Sequence, residues 1–150
     1  MNGIIKCIGG WVAAAFSTVL LGITFQTQNV LSRLGDIGAD VSLSERISMT
    51  VYDIQHLGSL YIIFVSIALA VAFLLGGLIY RFTKFGRAII FIVAGGAAIL
   101  TMLFIMKSVF FDIHLIAGAR NAFGISLQML AGAMGGLIFA VMTQPKSNRS

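Results

Sequence analysis

Two histidines and five carboxylates make up the chain's stock of imidazole and acid, and they are not scattered evenly. Asp53 and His56 stand three apart, a spacing that puts both on one face of a helix. Asp112 and His114 are two apart in a later connection, followed by Arg120 and Asn121. If these groups converge, with Tyr52 and Tyr61 close by, imidazole beside carboxylate is the chemistry of a divalent-metal site, a proton relay or a quinone head-group site. None of the spacings is one of the strong metal-binding patterns, and solvated residues at a membrane surface would read the same way.

Gln128 is the one strongly polar side chain inside the last apolar run. An amide in lipid needs a partner, and helix contacts of this kind stabilise by roughly 0.6–2 kcal/mol. Glue within a bundle or between subunits is the first expectation. The other is a residue lining a solute path, with Thr101 and Ser66 beside it. Cys7 is the only cysteine, so a disulfide within the chain is excluded, and an inert residue at a helix start outweighs palmitoylation. No nucleophile with its base, phosphate-binding glycine loop, haem-ligating histidine pair or row of gating arginines is present.

The elements that must position these residues are four apolar runs, expected as helices over about 8–28, 57–80, 88–106 and 122–142. None contains a charged residue or a histidine. Each can cross a hydrocarbon core of roughly 30 Å at about 1.5 Å per residue. With 59% hydrophobic and 10% charged residues, the composition leaves the soluble range, where about a quarter of residues are charged. The fold class is therefore an all-α membrane protein, a four-transmembrane-helix bundle forming one integral domain over residues 1–150. The first run is too long for a secretory leader, and no small-residue cleavage pattern follows it, so it is expected to remain as a span.

Charge sets the expected orientation. Lys6, Arg81, Lys84, Arg87, Lys146 and Arg149 fall on one side of such a bundle. Arg33, Arg46, Lys107 and Arg120 fall on the other, together with all five acids, giving +6 against −1. Both termini are expected in the cytoplasm, and a bacterial inner membrane is the default location. The basic excess then faces anionic lipid rather than nucleic acid, for which no basic run with interleaved aromatics exists.

The polar stretch between the first two runs holds Gly35, Gly38 and then Ser42-x-x-Glu45, which has capping-box spacing. Leu43, Ile47, Val51 and Ile54 follow at helical spacing. A short amphipathic helix over 43–56 is expected, on the outer leaflet, over the bundle, or continuous with the second span. In the third connection Ile113–Ala119 is too apolar for a solvated loop, so it should dip into the interface, with Arg120 paired to Asp112 or Asp53.

Small residues recur at helix-packing spacing: Ala68, Ala72 and Gly76 in the second run, Gly95 and Gly96 in the third, Gly132, Gly135 and Gly136 in the fourth. Whether these seams face inward or toward another subunit is not readable from spacing. The leading functional expectation is non-enzymatic: a subunit or accessory protein of a membrane complex, contacting lipids and either partner subunits or its own copies. An oligomeric carrier or channel for a small or lipophilic solute is the second, and a redox or lipid-modifying protein using the His/Asp groups the third. No cofactor is expected, though a groove for bound lipid or quinone would carry the same aromatic signature as Phe82, Phe85, Phe110 and Phe111.

Overall fold

A computed structural model describes residues 3–36, 38, 40–84, 86–109 and 122–144. All regular structure among them is helical: α1 (Gly3–Asp36), α2 (Leu43–Thr83), α3 (Arg87–Val109) and α4 (Ala122–Met142). All four are long and apolar enough to cross a membrane. They run up and down in a ring, α1 against α2 and α4, and α3 against the same two neighbours.

Two of these helices are much longer than a span. α2 has 41 residues, about 62 Å, and α1 has 34, about 51 Å. Even tilted by about 40°, α2 exceeds the hydrocarbon thickness by a wide margin. The stretch 43–56 is helical, as its periodicity predicts, but it is not a separate short helix; it is the first third of α2. Nothing between Ile54 and Leu60 can stop a helix, because there is no proline and no residue with positive φ. Gly58 continues the helix and packs toward the Ile23 side chain.

The ends have clear local causes. Ser42 caps α2: its hydroxyl accepts the Glu45 N–H (3.3 Å) while the Glu45 carboxylate accepts the Ser42 N–H (2.8 Å). Gly35 does not break α1, but Gly38 does, with φ +90 and its N–H bonded to the Gly35 carbonyl. At the other end Lys84 closes α2 in the left-handed conformation, its N–H on the Tyr80 carbonyl.

The core lies along the bundle axis. Near the end where α2 meets α3, the Phe73 and Phe139 rings stack at 4.2 Å and both meet Phe91, at 5.8 and 4.9 Å. Arg87, counted by sequence as a loop cation, opens α3 and ties it to the end of α4. Its guanidinium donates to the Ala140 carbonyl (3.4 Å) and the Thr143 hydroxyl, and lies over the Tyr80 and Phe91 rings. The cation thus satisfies a carbonyl at a helix C-terminus, where positive charge is favoured. Trp11 of α1 donates its indole N–H to the Ser66 carbonyl of α2 at 3.1 Å.

Candidate functional site

The glycines of the small-residue seams turn inward. A Cβ at Gly95 would overlap the Gly132 carbonyl oxygen, and one at Gly136 would overlap that of Phe91. α3 and α4 therefore touch backbone to backbone. A Cβ at Gly76 would press on the Phe91 ring at 3.3 Å, and one at Gly96 would meet the Met129 carbonyl at 3.4 Å. Ala68 and Ala72 are half-buried on α2. Gly135 leaves its space to the Thr18 hydroxyl, which donates to the Ala131 carbonyl at 3.4 Å.

That last contact belongs to a seam sequence reasoning missed. Gly10, Ala14, Thr18 and Gly22 stand four apart on α1, all buried, and they form its contact face with α4. The four-residue spacing was there to be read; Thr18 hid it, because threonine in a span reads first as a residue bonded to its own helix.

Gln128 sits at the top of this seam, 1% exposed, about 9 Å into α4. Its Oε1 accepts the Tyr61 hydroxyl of α2 (2.7 Å) and its Nε2 donates to the Gly22 carbonyl of α1 (2.8 Å). Gly22 makes room: a Cβ there would stand 2.8 Å from Oε1 and 3.1 Å from the Tyr61 oxygen. Three helices thus meet on one amide. No buried side-chain polar atom among the described residues lacks a partner. Tyr61, grouped by sequence with the outer rim, belongs to this interior contact. Of the residues grouped with Gln128 as a solute path, Ser66 is half-buried on α2 and Thr101 is exposed on α3.

The long arms of α1 and α2 build a second polar region beyond Gln26. The Thr27 hydroxyl lies 2.7 Å from Asp53 Oδ2 and 3.0 Å from the Ile23 carbonyl, so its single proton is shared between two acceptors, the carboxylate being the nearer. One turn further out, Arg46 donates to Gln28 Oε1 (3.2 Å) and Gln28 to the Thr50 hydroxyl (3.3 Å). These rungs fasten the hairpin. Glu45, at the tip, is held below the usual carboxylate range by the Ser42 backbone N–H and then the Ser42 hydroxyl. Beside the rungs opens a groove of about 590 Å³ between α1 and α2, with Asp53 and Tyr52 in its wall.

His56 and Asp53 take different roles although they are one turn apart. Asp53 faces α1, whereas His56 is exposed, its ring stacked on Tyr52 at 3.9 Å and its Nδ1 2.9 Å from the Tyr52 carbonyl. Asp112, His114 and Arg120, and with them the expected fold-back of Ile113–Ala119, lie outside the described residues. Among the described residues no three His, Cys, Asp or Glu side chains gather as metal ligands.

No family model, curated protein or solved structure matches this chain.

Proposed function

We propose that the chain is a non-enzymatic integral subunit or accessory protein of a membrane complex, docking through the projecting arm of α2. The observation that carries this reading is an exposed apolar ridge on α2, ahead of its uncharged run. Leu43, Ile47 and Val51 stand four apart on α2, 74%, 59% and 48% exposed. Leu43 lies about 21 Å from Leu57, where the uncharged run begins, well past the few ångströms that head groups add to each side. A row of large apolar side chains exposed together in this way marks an interaction surface. The glycines of the small-residue seams are used inside the bundle, which leaves the arm of α2 as the docking surface.

The interior supports the same reading. Gln128, the strongly polar residue inside α4, has its oxygen and nitrogen engaged by Tyr61 and Gly22. The charge difference of +6 against −1 favours an arm on the outer side of a bacterial inner membrane with both termini inside. A photo-crosslinking residue at Ile47, used in native membranes before mild-detergent purification, should capture a partner subunit or a second copy. The same residue at Leu74, on the lipid-facing side of α2, should not. A protein that purifies as a strict monomer with no crosslink at Ile47 overturns the reading.

A further inference from the structure

We propose that the groove between the α1 and α2 arms is a binding site for a primary amphiphilic amine, its ammonium on Asp53 and its hydrocarbon tail along the groove. This site lies beside the rungs of the hairpin and is independent of the docking ridge.

Among the described residues no cation pairs with Asp53. Its hydrogen-bond partner among the described residues is the Thr27 hydroxyl, which engages Oδ2. Arg46, two turns earlier on α2, donates to Gln28 instead. Over the arms as a whole, Asp36, Asp40, Glu45 and Asp53 outnumber Arg33 and Arg46, so the region attracts positive charge. An ammonium group presents three N–H donors and no acceptor. The groove offers oxygen acceptors for them, since Gln26 and Ser48 line it together with Asp53.

The rest of the wall is apolar. Val30 and Met49 lie on opposite helices, and the Tyr52 ring adds an aromatic face that favours a cation. A volume of about 590 Å³ lies within the range of small-ligand sites, which are mostly apolar with a few placed polar groups. A phospholipid with an ethanolamine head is the poorer fit. Its phosphate needs a cation on the membrane side of the ammonium, and Arg46 lies further from the span than Asp53 does. The occupant is therefore a single-headed amine rather than a zwitterionic bilayer lipid.

The test uses the full chain in phosphatidylcholine nanodiscs, with protein-free discs as blank, and two probes of equal length, hexylammonium and 1-hexanol. Saturation-transfer NMR should show hexylammonium binding about tenfold more tightly, the size of one charge-assisted contact. Asp53→Asn keeps an oxygen for Thr27 and should bring the amine down to the alcohol's level, leaving the alcohol unchanged. Val30→Trp, which fills the groove, should remove binding of both. Equal binding of the two probes to the native protein overturns the proposal without recourse to any variant. So does an amine preference that survives Asp53→Asn, or displacement of hexylammonium when phosphatidylethanolamine replaces phosphatidylcholine, which would assign the site to lipid.

Discussion

The α3–α4 contact and the α1–α2 arms hold helices together in opposite ways. Between α3 and α4 the chain removes side chains: Gly95, Gly132 and Gly136 let carbonyls of one helix reach the backbone of the other. In the arms it adds side chains, and Thr27, Asp53, Gln28, Arg46 and Thr50 reach across a gap wide enough to leave a groove. The difference is the one expected for a seam in hydrocarbon and arms in water. In hydrocarbon there is no hydrophobic drive between helices, so association rests on close dispersion contact and needs small residues. Outside it, water competes for every polar rung, and each is worth only about 0.5–1.5 kcal/mol net. The seam leaves no room between its backbones and the arms leave a groove, which is why binding and docking are proposed for the arms.

The sharpest way to break this contrast is to put a side chain into the seam. Gly136→Leu should destabilise the bundle by about 3 kcal/mol or more, beyond ordinary overpacking, because the obstacle is the Phe91 backbone and has no other rotamer. Gly77→Leu is the matched control; a Cβ there meets nothing within 4 Å, and the variant should behave as wild type. Thermal unfolding in detergent compares the two. Equal effects would mean that α3 and α4 do not touch as described.

A smaller loss is expected where the two regimes meet. Gln128→Leu leaves the Tyr61 hydroxyl and the Gly22 carbonyl without their partner and should cost about 1–2 kcal/mol. Adding Tyr61→Phe removes the orphaned hydroxyl, so the double variant should be more stable than Gln128→Leu alone. Strict additivity in this cycle would show the two side chains to be independent.

The smallest effect belongs to the arm's tip. Ser42→Ala should cost about 1 kcal/mol and fray the start of α2, seen as faster amide exchange near Leu43. Glu45 is held low by Ser42, so its contribution is present above the ordinary glutamate range. It is lost as pH falls through the depressed folded value. Acid below the ordinary glutamate range should thus lower the exchange protection of the tip in the native protein, leave the protection of the α3–α4 seam unchanged, and have no such effect in Glu45→Gln.

Much of this architecture was legible without coordinates. Four uncharged runs of spanning length leave one solution in lipid, because a helix satisfies its own backbone groups. Ser42-x-x-Glu45 marked the start of α2 because capping is local: both partners lie within one turn. The periodicity of Leu43, Ile47 and Val51 likewise showed a helix. It could not show that this helix runs on into the span, since continuity depends on the absence of a stop rather than on any signal.

What the sequence determined by itself is what one helix can decide alone: length, caps, apolar faces and the side on which charge gathers. What only the tertiary structure decided is which helix each face meets. Gly132 reads the same whether it meets Gly95 of this chain or a partner's helix, and a search of α1 for Gly10, Ala14, Thr18 and Gly22 starts only once α4 is seen beside it. Gln128 in a sequence is an amide in need of a partner; its partners, Tyr61 and Gly22, stand 67 and 106 residues away. Asp53 and His56 share a spacing but not an environment, because α1 lies against one and not the other. Contacts of this kind link residues distant along the chain, and spacing within one helix carries no record of its neighbour.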